Sequence, residues 1–356
     1  MDGSGLRTLS EERQTQVDAV LARFFSLAKI RASALGAQYE QLWQVLENNT
    51  IGGKRFRPRM VMAAYQSLGG TDTEAAAYIG AAFELLHTAL IVHDDVIDRD
   101  FVRRGLPNIS GTYRSLALEQ GGSEAAAEHS GLSAAVIAGD LALFNSYRLI
   151  DRSGVGDEIR SRLLDVMDEA LFASAAGELI DVDFSLAPSM PGVDDILSME
   201  RLKTAVYSFE CPLQAGAILA EADEQVVTAL GDFGRELGIA YQIVDDLLGV
   251  FGSEQETGKS TIGDLREGKR TVLISYATST DSWPLIEPLI GDPDLDEEGA
   301  AIVRQALIDC GARAFAEGLA RYYANRALAR LAEPYIPEAL RLELMPVADA
   351  VLGRTK

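Results

Sequence analysis

His93-Asp94-Asp95-Val96-Ile97-Asp98 is the stretch that decides how this chain reads. Asp94 and Asp98 are four residues apart, so on a helix their carboxylates lie one above the other on one face. Two carboxylates held that close repel unless a cation sits between them. Hard oxygen donors at this spacing suit Mg²⁺, which keeps several waters and takes its other ligands from one or two carboxylates and from substrate phosphates. A solvated acidic helix end is the plainer alternative. The run before it argues otherwise: Leu85, Leu86, Leu90, Ile91 and Val92 describe a buried helix that carries its acidic end into a cavity.

The pattern recurs at Tyr241-Gln242-Ile243-Val244-Asp245-Asp246, again an apolar helix ending in an Asp pair. Two such ends facing each other make a cage for several divalent cations. The common purpose of such a cage is to hold a diphosphate.

Composition narrows the classes. The chain has 356 residues, 47% of them hydrophobic, so a substantial core is available. Net charge is −22 and the isoelectric point is about 4.5. That balance argues against nucleic acid and against anionic membrane as partners. The two cysteines, Cys211 and Cys310, have neither zinc spacing nor a disulfide framework and read as two buried thiols. Residues 1–13 are polar, without a signal-peptide core. Uninterrupted apolar runs of about 18 residues are absent, so no stable membrane insertion is expected. The expected location is cytoplasmic.

Along the chain, residues 8–30 read as a first helix with Thr8 and Glu11 as its capping box, and 39–46 as a short second one. Gly52-Gly53-Lys54-Arg55-Phe56-Arg57-Pro58 follows. Two glycines before three cations let the backbone approach an anion closely, and Lys54 and Arg57 are three apart on an incipient helix; a plain basic loop is the alternative. Helix is expected over 57–68 and over 71–98. His87 lies seven before Asp94 and shares its face, which favours a polar-site role over a core one. Residues 100–110 are a loop in which the adjacent Arg103 and Arg104 point to different sides.

A surface connection is expected over 118–131, then helices over 133–149, 157–181 and 196–220. The last contains Lys203-Thr204, with Lys203 facing a pocket rather than snorkelling. Helix 224–251 carries the second acidic motif. Residues 252–268, with four glycines, Lys259 and a following Lys269, are shaped like a lid over an anion. Helices resume from 270 to 331 and over 337–352. No strand alternation is long enough to assign. The expected fold is all-α: one domain over 1–356, roughly a dozen helices around a central apolar cavity.

Two Asp clusters, a set of cations and an apolar cavity define a chemistry, and neither a nucleophile system nor a phosphate-binding Gly loop accompanies them. Mg²⁺ and cations gathered on a diphosphate make it a better leaving group and leave the carbon cationic. An apolar, water-poor cavity protects that carbocation. An allylic diphosphate fits, and the surplus of cations points to a second diphosphate.

From Gly52 to at least Thr271 the chain resembles the trans-isoprenyl diphosphate synthases of the polyprenyl synthetase family, most of all bacterial geranylgeranyl diphosphate synthases. The resemblance implies that Lys54, Arg57, His87 and Arg104 hold isopentenyl diphosphate. It implies Asp94 and Asp98, supported by Asp95, as Mg²⁺ ligands from the first motif, and Asp245 with Asp246 from the second. Arg103, Lys203, Thr204, Gln242, Lys259 and Lys269 would bind an allylic diphosphate of five to fifteen carbons. The catalytic core so implied is Lys203, Asp94, Asp98 and Asp245. The family is homodimeric, carries three Mg²⁺ per site, and runs ionisation, condensation and proton loss in turn.

Two departures stand out. The second motif usually reads Asp-Asp-x-x-Asp, but here Gly249 removes the last carboxylate. Glu178 stands where many relatives carry Gln, and its charge can pair with Lys203 or with a metal-bound water.

Product length follows from the helix that carries Asp94. Ala89 and Leu90, just over one turn upstream, are not aromatic, unlike relatives that stop at fifteen carbons. A twenty-carbon tail at roughly 4–5 Å per isoprene unit spans about 13 helical residues. Phe83, eleven before Asp94, is near that depth, and Phe144 and Tyr147 on a neighbouring helix could complete a floor. The expected product is geranylgeranyl diphosphate, with a polyprenyl diphosphate of thirty carbons or more as the alternative. A class I terpene cyclase would leave Lys54, Arg57, His87 and Arg104 without purpose. A silent partner subunit would be expected to lose Asp residues that this chain keeps.

Overall fold

The computed structural model describes residues 3–52, 55–103, 105–252 and 261–353. The chain is 79% helical, and among the described residues the one ladder pairs two-residue strands, so the all-α expectation holds. Packing divides it into two compact units: Met1–Leu171 with Pro212–Asp223, and Phe172–Cys211 with Glu224–Lys356. Each unit carries one of the two acidic helix ends.

In the first unit, α1 (Gly3–Ser33), α2 (Ala37–Thr50) and α3 (Phe56–Ser67) precede α4 (Thr73–Ile97), the helix of the first acidic motif. Asp72 caps α4 by accepting a hydrogen bond from Ala75 N at 3.0 Å. Alanines on its first turns let neighbours approach closely, and Phe83, Leu85 and Leu86 are fully buried. Leu90 and Ile91 are only half-buried. By length and composition α4 is apolar enough to cross a bilayer, but 78% of its apolar window is buried inside the protein, as a core helix requires.

Beyond it, β1 (Val102–Arg103) and β2 (Leu106–Pro107) form a hairpin turning at Gly105, whose φ is +73°. Two residues per strand are too few to leave an alternation in the sequence. Then come α5 (Ile109–Glu119) and α6 (Glu124–Asp151), which packs along α4 and α5. The surface connection expected over 118–131 shrinks to a few residues. Ser123 caps α6, accepting from Ala126 N at 3.3 Å, and the alanines that follow favour helix over loop. Likewise α1 begins at Gly3, so Thr8 lies inside the helix and is not its cap.

The unit boundary falls inside α7 (Asp157–Leu186). In the second unit, α8 (Val193–Glu200) runs into a π-helical segment, Arg201–Glu210; the chain then returns to the first unit at Pro212, within α9 (Cys211–Leu219). Helix α10 (Glu224–Phe251) carries the second acidic motif, and α11 (Gly263–Arg266), α12 (Val272–Ala277), α13 (Trp283–Ile286), α14 (Glu297–Asp309), α15 (Ala312–Leu331) and α16 (Glu338–Gly353) complete the chain. Ala312, Ala316, Ala320 and Ala324 are buried at four-residue spacing, a small-residue stripe by which α15 packs on α10.

The π-helical segment replaces an expected run of ordinary helix. It is wide, and its backbone lies against glycines. A Cβ at Gly177 on α7 would sit 2.2 Å from Lys203 N, and one at Gly234 on α10 would sit 2.7 Å from Glu210 N. Such bulges concentrate at functional sites. Neither cysteine is in a disulfide; Cys211 is buried as expected, but Cys310 is only half-buried.

Candidate active site

The first acidic end is built where α4 stops. Asp94 is half-buried, Asp95 is 3% exposed, and Asp98, the C-cap residue, is exposed. The hairpin returns Arg103 onto them. Its Nε donates to Asp95 Oδ1 at 2.8 Å and its Nη2 to Asp94 Oδ2 at 3.0 Å. Burial pushes the Asp95 carboxyl above the usual carboxylate range, and the Arg103 guanidinium draws part of that shift back. Arg103, expected to meet a diphosphate, lies against the aspartate pair. Lys54 and Arg104 lie outside the described residues, as does Lys259.

His87 and Arg57 are both half-buried. The helix that carries Arg57 is fixed by Arg55. This residue is 2% exposed and stands at φ +48° just before α3. Its guanidinium donates to Asp18 Oδ1 at 2.8 Å, to Thr50 O at 2.8 Å and to Glu84 Oε1 at 3.0 Å. One buried cation thus ties the start of α3 to α1, α2 and α4. That role for Arg55 was not read from the sequence, where it is one more cation in a basic run. His93 points away from the aspartates to α6, with Nε2 3.4 Å from Asp140 Oδ1, and Gly139 leaves room for its ring.

On α4, Phe83 is eleven residues before Asp94 and returns to nearly the same face, about 16 Å away along the axis. Leu90 is close to that face, whereas Ala89 is buried well round the helix from it. Phe83 is fully buried. Phe144, expected beside it, is instead 64% exposed, with the Arg148 guanidinium 5.9 Å from its ring centre. The register of α6 turns Phe144 outward, so it does not join a buried floor within this unit. Tyr147 is half-buried, and burial raises its phenol above the ordinary value.

The second acidic end belongs to the other unit. Asp245 is exposed and Asp246 half-buried on α10. Gln242 Nε2 donates to Asp246 Oδ1 at 2.9 Å. Glu200, at the end of α8, is 3% exposed, and its carboxyl shares a hydrogen bond with that of Asp246. Burial first, then Asp246, hold Glu200 well above the carboxylate range. Asp246 is pushed up to about 7, chiefly by burial, with Gln242 and Glu200 opposing and the charges of Asp264 and Asp245 adding.

Lys203 is held by two carboxylates of α7: its Nζ lies 2.6 Å from Asp181 Oδ2 and 3.0 Å from Glu178 Oε2. Of the two partners expected for Glu178, Lys203 lies within ion-pair distance. The close approach at Gly177 puts the lysine's backbone beside the helix that supplies both partners. Thr204 is half-buried next to it. Lys269 is exposed and pairs with Asp264 at 2.6 Å.

These donors fit a hard divalent cation. They are carboxylate oxygens, without thiolate or imidazole among them. Among the described residues no three acidic, imidazole or thiol groups close round an ion by themselves. A Mg²⁺ held here would take its remaining ligands from water and diphosphate oxygens. Glu200 and Asp264 were missed by sequence reading because neither belongs to an Asp-pair motif.

The model of the polyprenyl synthetase family matches residues 39–306, which contain both acidic ends. The chain belongs to the polyprenyl synthetase family. Like the other members, it is a trans-prenyltransferase. It is 34% identical over 310 residues to a geranylfarnesyl diphosphate synthase of Aeropyrum pernix, covering 86% of this chain and 91% of that one. It is 32% identical over 286 residues to a geranylgeranyl diphosphate synthase of Sulfolobus acidocaldarius, covering 78% and 79%. Among solved structures, a geranylgeranyl pyrophosphate synthase of Corynebacterium glutamicum, complexed with isoprenyl diphosphate and magnesium, aligns over 99% of this chain and 100% of that one. Its TM-score is 0.88 at 28% identity.

Proposed function

We propose that this prenyltransferase joins isopentenyl diphosphate head to tail to allylic diphosphates of five to fifteen carbons, with geranylgeranyl diphosphate as its main product. The observation that carries the reading is the first acidic end. A helix buried along most of its length delivers Asp94 and Asp98 at one-turn spacing, and Arg103 fixes the pair. The relatives that make geranylgeranyl and geranylfarnesyl diphosphates support a product of twenty carbons or slightly more.

In this reading Asp94, Asp98 and Asp245, with Asp95 and Asp246 behind them, hold Mg²⁺, three ions per site. When bound, these ions neutralise the charge of the allylic diphosphate and make it a leaving group. Lys203, Thr204, Gln242, Lys259 and Lys269 orient that diphosphate, and Lys203 is already aimed by Glu178 and Asp181. Arg57 and His87, with Lys54 and Arg104, hold isopentenyl diphosphate so that its double bond meets the allylic carbon. The apolar face of α4 from Leu90 back to Phe83 takes the growing tail and excludes water. The whole chain acts as one catalytic domain, in a cytoplasmic homodimer without membrane insertion.

One observation favours a longer product as the second reading: Phe144 faces outward and leaves Phe83 without that partner. The test is a product assay with Mg²⁺, labelled isopentenyl diphosphate and each allylic diphosphate in turn. A single twenty-carbon product is expected. A ladder reaching thirty carbons retains the enzyme class and removes the Phe83 floor. A hydrocarbon released from the allylic substrate alone, with no label incorporated, overturns the condensation.

A further inference from the structure

Arg55 begins α3 in a way that its residue type does not explain. Helices usually start on a short polar side chain that caps the first amides. Here the N-cap is an arginine at φ +48° whose side chain makes no capping hydrogen bond. Its carbonyl accepts from Arg59 N at 3.1 Å, so the helix starts on a strained residue. A long side chain in this left-handed region is uncommon, and such strain persists only where the surroundings hold it. The holding group is its own guanidinium. Nε meets Asp18 of α1, and Nη1 meets both Thr50 O at the end of α2 and Glu84 Oε1 on α4. Only 2% of the side chain is exposed, so Arg55 is not placed to touch a ligand. Arg57 lies two residues after Arg55, and His87 three after Glu84. On α4, Gly80, Glu84 and His87 follow at spacings of four and three and share one face. That face meets the start of α3 at a second point, since a Cβ at Gly80 would come 3.1 Å from Pro58 Cβ. Apolar contact there sets the distance between the helices, while the directional bonds of the guanidinium set the height and rotation of α3.

We propose that Arg55 is a positioning residue: paired with Glu84, it sets the spacing and angle at which Arg57 and His87 hold one diphosphate. The inference rests on the reading of Arg57 and His87 as ligands of isopentenyl diphosphate. Displacing a binding group by about 1 Å can cost on the order of a hundredfold in efficiency, so the buried pair acts on that substrate without meeting it. The allylic diphosphate has other ligands and is not affected.

The test is steady-state kinetics with both substrates, run beside chemical denaturation of the full chain. Arg55→Met is expected to raise KM for isopentenyl diphosphate about tenfold, with kcat and the allylic KM close to the parent's. It also lowers stability, because Glu84 loses its cation. Arg55→Met combined with Glu84→Gln removes the stranded charge. Its denaturation midpoint is expected to return towards the parent's, while its isopentenyl KM stays raised. Arg55→Lys keeps the charge but not the fork, and should give a smaller rise in the same KM. A double variant that regains the parent's isopentenyl KM together with its stability makes Arg55 a structural residue only and overturns the proposal. Equal rises in both KM values overturn it too. Arg57→Ala tests the underlying reading. An unchanged isopentenyl KM there overturns the isopentenyl subsite itself, whereas a raised one beside parent-like Arg55 variants overturns the positioning role alone.

Discussion

The two acidic helix ends begin from the same aspartate pair and are finished in opposite ways. At the end of α4 a guanidinium closes on the carboxylates, Arg103 meeting Asp94 and Asp95 at 2.6–3.0 Å. At the end of α10 more carboxyl groups arrive: Glu200 from α8 and Asp264 from α11 gather near Asp246. The first end is a charge-compensated pair made by residues within ten positions of one another. The second is a concentration of negative charge assembled from three separate elements. Of the carboxyl groups there, Asp264 is met by Lys269 at 2.6 Å, while Glu200 and Asp246 hydrogen-bond to each other and are held above the carboxylate range, so the second end is compensated by a lysine and a shared proton where the first is compensated by a guanidinium.

The largest expected effect is at the first end. Asp94→Ala should reduce turnover more than a hundredfold, at least about 2.7 kcal/mol of lost transition-state stabilisation, with an unchanged circular dichroism spectrum. Steady-state kinetics with saturating Mg²⁺ measures it. Residual turnover above a hundredth would mean that Arg103, and not a metal, is the functional partner of Asp94.

The scaffolds behind the two ends differ in the same sense. The first leans on a buried ion pair and the second on close backbone contact. Arg55→Ala would leave Glu84 buried and unpaired, a loss of about 3–5 kcal/mol. Gly177→Ala would push a methyl to 2.2 Å from Lys203 N, an overpacking of roughly 1–3 kcal/mol. Chemical denaturation should therefore show the larger loss for Arg55→Ala. The reverse order would make backbone contact at the π-helical segment the stricter constraint.

The same contrast explains what the sequence made legible. Amphipathic periodicity and the i, i+4 aspartates marked α4 and α10, since both signals lie within a single element. The long α6 start was obscured because Gly121, Gly122 and Ser123 read as loop, although Ser123 is the cap that begins the helix. The π-helical segment left no local signature; its width is set by glycines on α7 and α10, far away in sequence. Glu200 and Asp264 became visible only when folding brought them to Asp246. Arg55 was hidden among functional cations, and only its burial separates it from Arg57.

Product length tests the first unit alone. Phe83→Ala is expected to lengthen the product by about one isoprene unit, since removing a buried aromatic ring opens space at the depth of a twenty-carbon tail. Phe144→Ala is expected to leave the distribution unchanged, because the ring is 64% exposed. Chromatography of the dephosphorylated products decides both. An unchanged product from Phe83→Ala would remove Phe83 as the floor, and a change from Phe144→Ala would give the outward face of α6 a part in setting length.

The smallest effect is expected at Lys203, where the second unit again crowds carboxylates together. Glu178 and Asp181 both hold its ammonium, and a diphosphate must compete with them. Glu178→Gln keeps the volume and removes one competitor. The pair is only partly buried, so its interaction is about 0.5–1 kcal/mol, which corresponds to a fall in allylic KM of roughly two- to fivefold. KM for isopentenyl diphosphate should not move, since its proposed ligands are on the other unit. A rise in allylic KM would reverse the role: Glu178 would then be aiming Lys203 at the diphosphate, and the second end would be organised by its carboxylates even before any cation arrives.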